Sequence, residues 1–310
     1  MKYVEIKGLY KSFGDVNALE NLNLSIEKGE IFGLLGPNGA GKSTTINILT
    51  TLLEQDKGII KICNKEVKKN DANMRGKLGV VPQDLAIFED MTALENVMFF
   101  GSLYGLKGKD LKARALSALE FVGLENSKKL SKTFSGGMKR RLNIACGIVH
   151  NPELLILDEP TVGIDPQSRN HIMKSIKTLN KNGCTVIYTT HYMEEVEALC
   201  NNIAIIDKGR LIAEGSKESL KNLITNKNKF EVTINDITSI NEKDVSNIKG
   251  VDSVEFKDNK LIVSIDREIN GLNELLLYLS SKDIKILDIK SEMLTLEDVF
   301  LNLTGRKLRD

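Results

Sequence analysis

The sequence predicts an α/β fold: a largely parallel sheet with helices on both faces, a helical insertion, and a small α+β domain at the C-terminal end. Three observations carry this. Short, mostly apolar runs (Ile31–Leu35, Leu154–Leu157, Thr185–Thr189, Ile203–Ile206) have the length and composition of strands buried on both faces. Helical patterns separate them, the alternation that builds parallel sheets. After Gly215 the pattern changes to amphipathic strands and a hairpin, which marks a second module.

In chain order, Val4–Leu9 alternates as a strand and Leu22–Ile26 gives another. Glu27–Glu30 is turn-like and feeds Ile31–Leu35. A glycine-rich loop follows, then a helix through Thr45, Ile46, Ile48 and Leu49. The segment from about residue 84 to 152 reads mostly helical. Thr92-Ala93-Leu94-Glu95 is a capping box, and Lys109 to Gly123 carries apolar residues at helical spacing before a glycine stop. Ser216 to Lys229 is polar, rich in Lys and Asn, and reads as a connector with one short helix. Beyond it the expected order is a strand at Phe230–Ile234, a hairpin turning at Asp258-Asn259, a Leu-rich helix at Leu272–Ser280, and a strand at Ile284–Ile289. A last helix is capped by Thr295 to Asp298, buries Leu296, Val299, Phe300 and Leu303, and ends near Gly305. The expected division is 1–222 and 229–310.

The chain has 310 residues, 41% hydrophobic and 27% charged, with 43 basic and 42 acidic residues. A net charge of +1 argues against nucleic acid as the main partner. No apolar run is long enough to cross a bilayer, and the first residues have no signal-peptide core. Cys63, Cys146, Cys184 and Cys200 show no paired spacing; buried thiols in a reducing cytosol are expected, and a metal cluster is not.

Three motifs carry chemistry. Gly36-Pro37-Asn38-Gly39-Ala40-Gly41-Lys42-Ser43 fits G-x-x-x-x-G-K-[ST] and stands between a strand and a helix. Its glycines let backbone N–H groups face phosphates at the positive end of the helix. Lys42 adds a mobile charge for the β- and γ-phosphates, and Ser43 a hydroxyl for Mg²⁺. Asp158 ends the apolar strand at the mouth of the sheet, where it suits Mg²⁺. Glu159 follows, placed to polarise an attacking water. Ser135-Gly136-Gly137 opens an amphipathic helix through Leu142, Ile144, Ala145 and Ile148 and is a second potential anion cradle. Taken alone, Ser-Gly-Gly is a loop. Two cradles in one domain make sense if each chain binds ATP with the first and touches a second copy's ATP with the other.

These motifs, in this order, resemble the ATP-binding subunit of an ABC transporter, with a P-loop NTPase core of ABC type. Gly36 to Ser43 resembles its Walker A, Leu154 to Glu159 its Walker B, and Ser135 to Met138 its signature motif. That motif is usually Leu-Ser-Gly-Gly-Gln; Phe134 and Met138 depart from it and are similar to the drug-resistance-type (ABC-2 exporter) branch. So is the ending Leu296 to Gly305. The resemblance implies ATP contacts at Gly36, Pro37, Asn38, Gly39, Ala40, Gly41, Lys42, Ser43 and Thr44. It implies adenine stacking on Tyr10, a Q-loop at Gln83 that senses nucleotide and the membrane subunit, and a D-loop Asp165. It makes Glu159, His191 and Lys42 catalytic and puts Mg²⁺ on Ser43, Gln83 and Asp158.

The function expected is ATP hydrolysis that powers a separate integral membrane permease, in the export direction. ATP and Mg²⁺ are the cofactors, a homodimer is expected, and the place is the cytoplasmic face of the membrane. The rival is an ABC ATPase acting on ribosomes or DNA. Ribosome-acting members usually carry two ATP sites in one chain, and this has one. DNA-repair members carry a long coiled coil, and no heptad run separates Gln83 from Ser135. A non-catalytic nucleotide sensor is opposed by the presence of both Glu159 and His191.

Overall fold

In the computed structural model, residues 2–224, 227–266, 269, 271–292 and 294–305 are described. They fall into two compact units. One runs to Lys217 and takes up the chain again from Leu303; the other is Glu218–Asn302.

The first unit opens with a long hairpin, β1 (Lys2–Phe13) and β2 (Val16–Glu27), followed by β3 (Ile31–Leu35) and α1 (Lys42–Leu49). Next come β4 (Lys57–Ile62), β5 (Lys65–Glu66), α2 (Ala72–Arg75) and β6 (Leu78–Val81). The helical insertion is α3 (Ala93–Leu103), α4 (Gly108–Phe121), a 3₁₀ turn at Ser131–Thr133, and α5 (Gly136–Ile148). The predicted capping box at Thr92 and Glu95 is present in full. The unit continues with β7 (Leu154–Asp158), α6 (Pro166–Lys181), β8 (Thr185–Thr189), α7 (Met193–Leu199), β9 (Asn202–Asp207) and β10 (Arg210–Ser216).

Six strands form the central sheet in the order β10-β9-β3-β8-β7-β6. It is parallel except for the β9–β10 pair at its edge. β3 and β8 are buried at every residue, which is why neither shows the alternation of a half-exposed strand. One face packs Phe32, Leu34, Ile156, Ile187, Ala204 and Ile206 against α1 and a second sheet. That sheet is antiparallel, β2-β1-β4-β5, and no sequence pattern predicted its strand order. The other face receives α7 so closely that a Cβ at Gly33 would lie 3.1 Å from Val196 and Cys200. Cys146, Cys184 and Cys200 are buried and Cys63 half-buried, all as free thiols. Burial pushes the Cys146 and Cys200 thiols up to about 12 and Cys184 to about 11.

The division between the units falls within α8 (Lys217–Asn222). The second unit then contains β11 (Lys227–Ile234), α9 (Glu242–Ser246), β12 (Val251–Lys257), β13 (Lys260–Asp266), α10 (Gly271–Ser281), β14 (Ile286–Glu292) and most of α11 (Leu296–Thr304). Its antiparallel sheet runs β12-β13-β11-β14, with the predicted hairpin turning at Asp258-Asn259. Val232, Ile234, Leu261, Val263 and Ile265 make its core with Leu275 and Leu279 of α10. Thr295 and Asp298 cap α11 reciprocally. Leu296, Val299 and Phe300 are buried as predicted, but Leu303 is only half-buried. Among the described residues no helix is long and apolar enough to cross a membrane.

Candidate active site: a phosphate cradle beside a carboxylate pair

The C-terminal ends of β3 and β7 meet at one cleft of about 310 Å³. Its walls are Asn38 to Thr44, Gln83, Asp158, Glu159 and the hairpin residues Phe13, Val16, Asn17 and Ala18. Clefts at strand C-termini are where parallel sheets place ligands, because loops there are free of the ladder.

The glycine-rich loop is built around Gly41. It holds φ 103 at the N-cap of α1, and no side chain caps that helix. A Cβ there would sit 2.7 Å from the Ala18 carbonyl, so only glycine fits. The first N–H groups of α1 are left for a ligand. Lys42 is 8% exposed, and its Nζ donates to the carbonyls of Gly36 (2.6 Å) and Pro37 (3.1 Å). Burial pulls its ammonium below the usual lysine range, while Glu159 and Asp158 oppose that shift. Gly36 and Pro37 therefore lie behind the cleft and act through their carbonyls. Asn38 to Thr44 face it.

Asp158 and Glu159 are held by one neighbour on β8. The Thr189 hydroxyl donates to Asp158 Oδ1 at 2.5 Å and accepts the Glu159 N–H at 3.1 Å. Glu159 sits at φ 49, a left-handed conformation that costs a non-glycine residue about 1–3 kcal/mol. The Thr189 hydroxyl and carbonyl both hold its N–H there. The strain aims the Glu159 carboxylate at His191, whose Nδ1 is hydrogen-bonded to Oε2 at 2.5 Å.

Gln83 borders the cleft from an exposed loop that is fixed from α5. Arg140 donates to the Pro82 carbonyl at 3.0 Å and to the Gln83 carbonyl at 2.7 Å. Asn143 accepts the Ala86 N–H at 3.2 Å. Sequence reasoning missed Arg140 and Thr189; both act over long chain separations, and no local pattern marks them.

Tyr10 does not border the cleft; it pairs with Lys57 of β4, whose Nζ stands 6.0 Å over its ring. The aromatic at the cleft is Phe13, 51% exposed at the end of the same strand. Bulges in β1 between Ile6 and Leu9 and between Leu9 and Lys11 shift which side chains face which way.

Ser135, Gly136, Gly137 and Asp165 are not brought to this cleft. They form a second surface feature on the same unit. Ser135 caps α5, its Oγ accepting the Met138 N–H at 3.2 Å. Asp165 caps α6 by accepting the Ser168 N–H at 2.8 Å, and that bond holds its carboxyl below the usual range. A Cβ at Gly137 would lie 2.2 Å from Ser168 Oγ, so the two helix starts pack against each other.

The chain is similar to known proteins along nearly its whole length. An ABC transporter family model matches residues 19–162. A second model, the C-terminal domain of ATP-binding proteins like DrrA1-3, matches residues 215–304. The chain is 44% identical over 310 residues to the linearmycin resistance ATP-binding protein LnrL of Bacillus subtilis, covering 99% of this chain and 100% of that protein. It is 37% identical over 311 residues to the daunorubicin/doxorubicin resistance ATP-binding protein of Streptomyces peucetius, covering 99% and 94%. A solved dimeric post-hydrolysis state of an ATP-binding cassette, bound to ADP and phosphate, is similar at TM-score 0.63 and 30% identity, over 69% of this chain and 98% of that one. The chain thus belongs to the ATP-binding, ATP-hydrolysing subunits of ABC transporters, in the drug-resistance-type branch.

Proposed function

We propose that the chain drives a separate membrane permease through a cycle in which two copies close on two ATP molecules and hydrolysis reopens them. One observation carries this: the phosphate loop, Asp158 and Glu159 share one cleft, while the Ser135 cradle, built for the same chemistry, is not part of it. Phe13, in place of Tyr10, stacks the adenine. The N–H groups from Asn38 to Thr44 and the Lys42 ammonium hold the phosphates. ATP must draw Lys42 away from the Gly36 and Pro37 carbonyls, which keep it extended over the loop. Glu159 orients the attacking water, and His191, bonded to it, reports on the γ-phosphate.

The oxygen donors at the cleft suit a hard divalent cation. Ser43, Asp158 and Gln83 would hold Mg²⁺, which supplies charge neutralisation on the β- and γ-phosphates. The Ser135-Gly136-Gly137 cradle and Asp165 meet the ATP of the second copy. We place the ATP-binding part at 1–222 and the accessory part at 229–310, supported by the change of compact unit after Lys217. The chain works at the cytoplasmic face of the membrane, held by its permease.

Export is the direction favoured by the relatives, which are described as resistance proteins for linearmycin and for daunorubicin/doxorubicin and as a Nod factor export protein. The test is affinity capture from detergent-solubilised membranes of the native host, using tagged Glu159→Gln chain with ATP. A stoichiometric multi-span membrane protein is expected. Recovery of ribosomes or DNA instead, with no membrane protein, would contradict the transport reading.

A further inference from the structure

Near the cleft, one buried carboxylate is not explained by ATP chemistry. Glu195, on α7, is 2% exposed and does not border the cleft. Its Oε2 accepts three hydroxyls: Thr161 at 2.8 Å, Tyr188 at 2.8 Å and Thr190 at 3.0 Å. Its Oε1 stands 3.3 Å from Nε of Arg169. Burying a carboxylate is costly unless its oxygens are matched by donors, so the site is built around it.

The three hydroxyl donors and the Arg169 cation, which pairs with Oε1 by charge and not by a hydrogen bond, come from three segments of the catalytic machinery. Thr161 is two residues after Glu159. Tyr188 and Thr190 flank Thr189, which grips Asp158 and Glu159, and Thr190 directly precedes His191. Arg169 is one turn into α6, its N–H bonded to the Asp165 carbonyl. The Thr190 hydroxyl also accepts the Tyr192 N–H at 3.0 Å, so the backbone on both sides of His191 is tied to Glu195. Arg169 lies over the Tyr192 ring at 4.7 Å and closes the circuit.

We propose that Glu195 is a positioning residue for hydrolysis: it fastens the segment after Glu159, the turn that carries His191 and the start of α6 into one unit, so that His191 meets Glu159 in register. Glu195 acts on water attack through His191 and makes no contact with ATP. The inference rests on the ATPase reading of this site.

The physical case is geometric. His191 Nδ1 and Glu159 Oε2 are at hydrogen-bond distance only while β8 and the loop after β7 keep their present offset. At the end of β8 and in the residue after it the side chains alternate. Thr189 points toward Asp158, and Tyr188 and Thr190 toward Glu195. The strand is therefore pinned on both faces. Removing the carboxylate frees one face, and with it the backbone on either side of His191.

The test uses the full chain with MgATP and compares wild type, Glu195→Gln, His191→Ala and the double variant. Glu195→Gln keeps the shape but removes the charge and one acceptor, so an NH2 must face either the three hydroxyls or the Arg169 cation. Turnover should fall about 10- to 100-fold, the range for residues that orient a reacting group from behind. The KM for ATP should stay within about twofold, since no binding contact is lost. In the His191→Ala background the same substitution should cost less than about twofold further, because both act through one group. A full multiplicative loss in that background, or unchanged turnover of Glu195→Gln, overturns the proposal. If Glu195→Gln does not fold, Thr190→Val removes the hydroxyl between Glu195 and the Tyr192 N–H and is read by the same criteria. A wild-type chain that binds MgATP without hydrolysing it would count against the ATPase reading itself, and the inference would fall with it.

Discussion

Two helix starts in the first unit have nearly the same ingredients and different surroundings. α1 begins after Gly39-Ala40-Gly41 and α5 at Gly136-Gly137. At α1 no side chain fills the cap, Lys42 stands over the loop, and Asp158 and Glu159 close the opposite wall. At α5 the cap is occupied by Ser135, and Gly137 is packed on Ser168. The first cradle has a charge, a hydroxyl and a carboxylate pair beside it within one chain. The second has donors but no catalytic wall of its own. A phosphate site is therefore made by what surrounds a helix N-terminus, since both have the same dipole. On the reading proposed above, the α5 start is half of a site whose other half belongs to a second copy.

The largest effect should separate the two. Lys42→Ala should weaken ATP binding about 30- to 5,000-fold, matching the roughly 2–5 kcal/mol cost of removing one partner of a desolvated charge pair. Fluorescent-nucleotide titration reads this directly; wild-type affinity would remove the first cradle as the primary site. Next comes Gly136→Asp at the second cradle. Gly136 is exposed, its Cβ would meet only the Gly163 carbonyl at 3.9 Å, and Asp suits a helix start. ATP affinity of the single chain should stay within about twofold and turnover should drop tenfold or more, because the new anion opposes the other copy's phosphates. Equal losses in both would mean that α5 belongs to the first site. The smallest effect is expected from Arg140→Gln, which gives up two charged hydrogen bonds to the loop of Gln83. Steady-state turnover should fall roughly three- to tenfold with binding nearly intact. No change would show that the α5 grip on that loop is incidental.

The sequence made visible whatever is contiguous. The loop from Gly36 to Ser43 and the Asp158-Glu159 pair each occupy one short run, and β3, β7 and β8 are apolar because the sheet covers them on both faces. The antiparallel sheet was less legible. β4 is exposed along its first half, and its pairing with β1 spans some fifty residues of chain. The resemblance points to Tyr10, three residues from Phe13 on the same strand, and bulges in β1 leave no simple alternation to tell which of the two aromatics reaches the cleft. Thr189, Arg140 and Glu195 are invisible for one common reason: each is one side chain reaching a segment distant in sequence, except where Glu195 reaches back to Tyr188 and Thr190. Isolated side chains of that kind leave no periodicity.

The most direct measurement is the mass of Glu159→Gln in solution by light scattering, with and without MgATP, alone and combined with Gly136→Asp. The chain should be monomeric without nucleotide and dimeric with it, and the added Gly136→Asp should restore the monomer while ATP stays bound. An ATP-loaded Glu159→Gln chain that remains monomeric, or a dimer indifferent to Gly136→Asp, would contradict the claim that the second cradle serves the ATP of another copy.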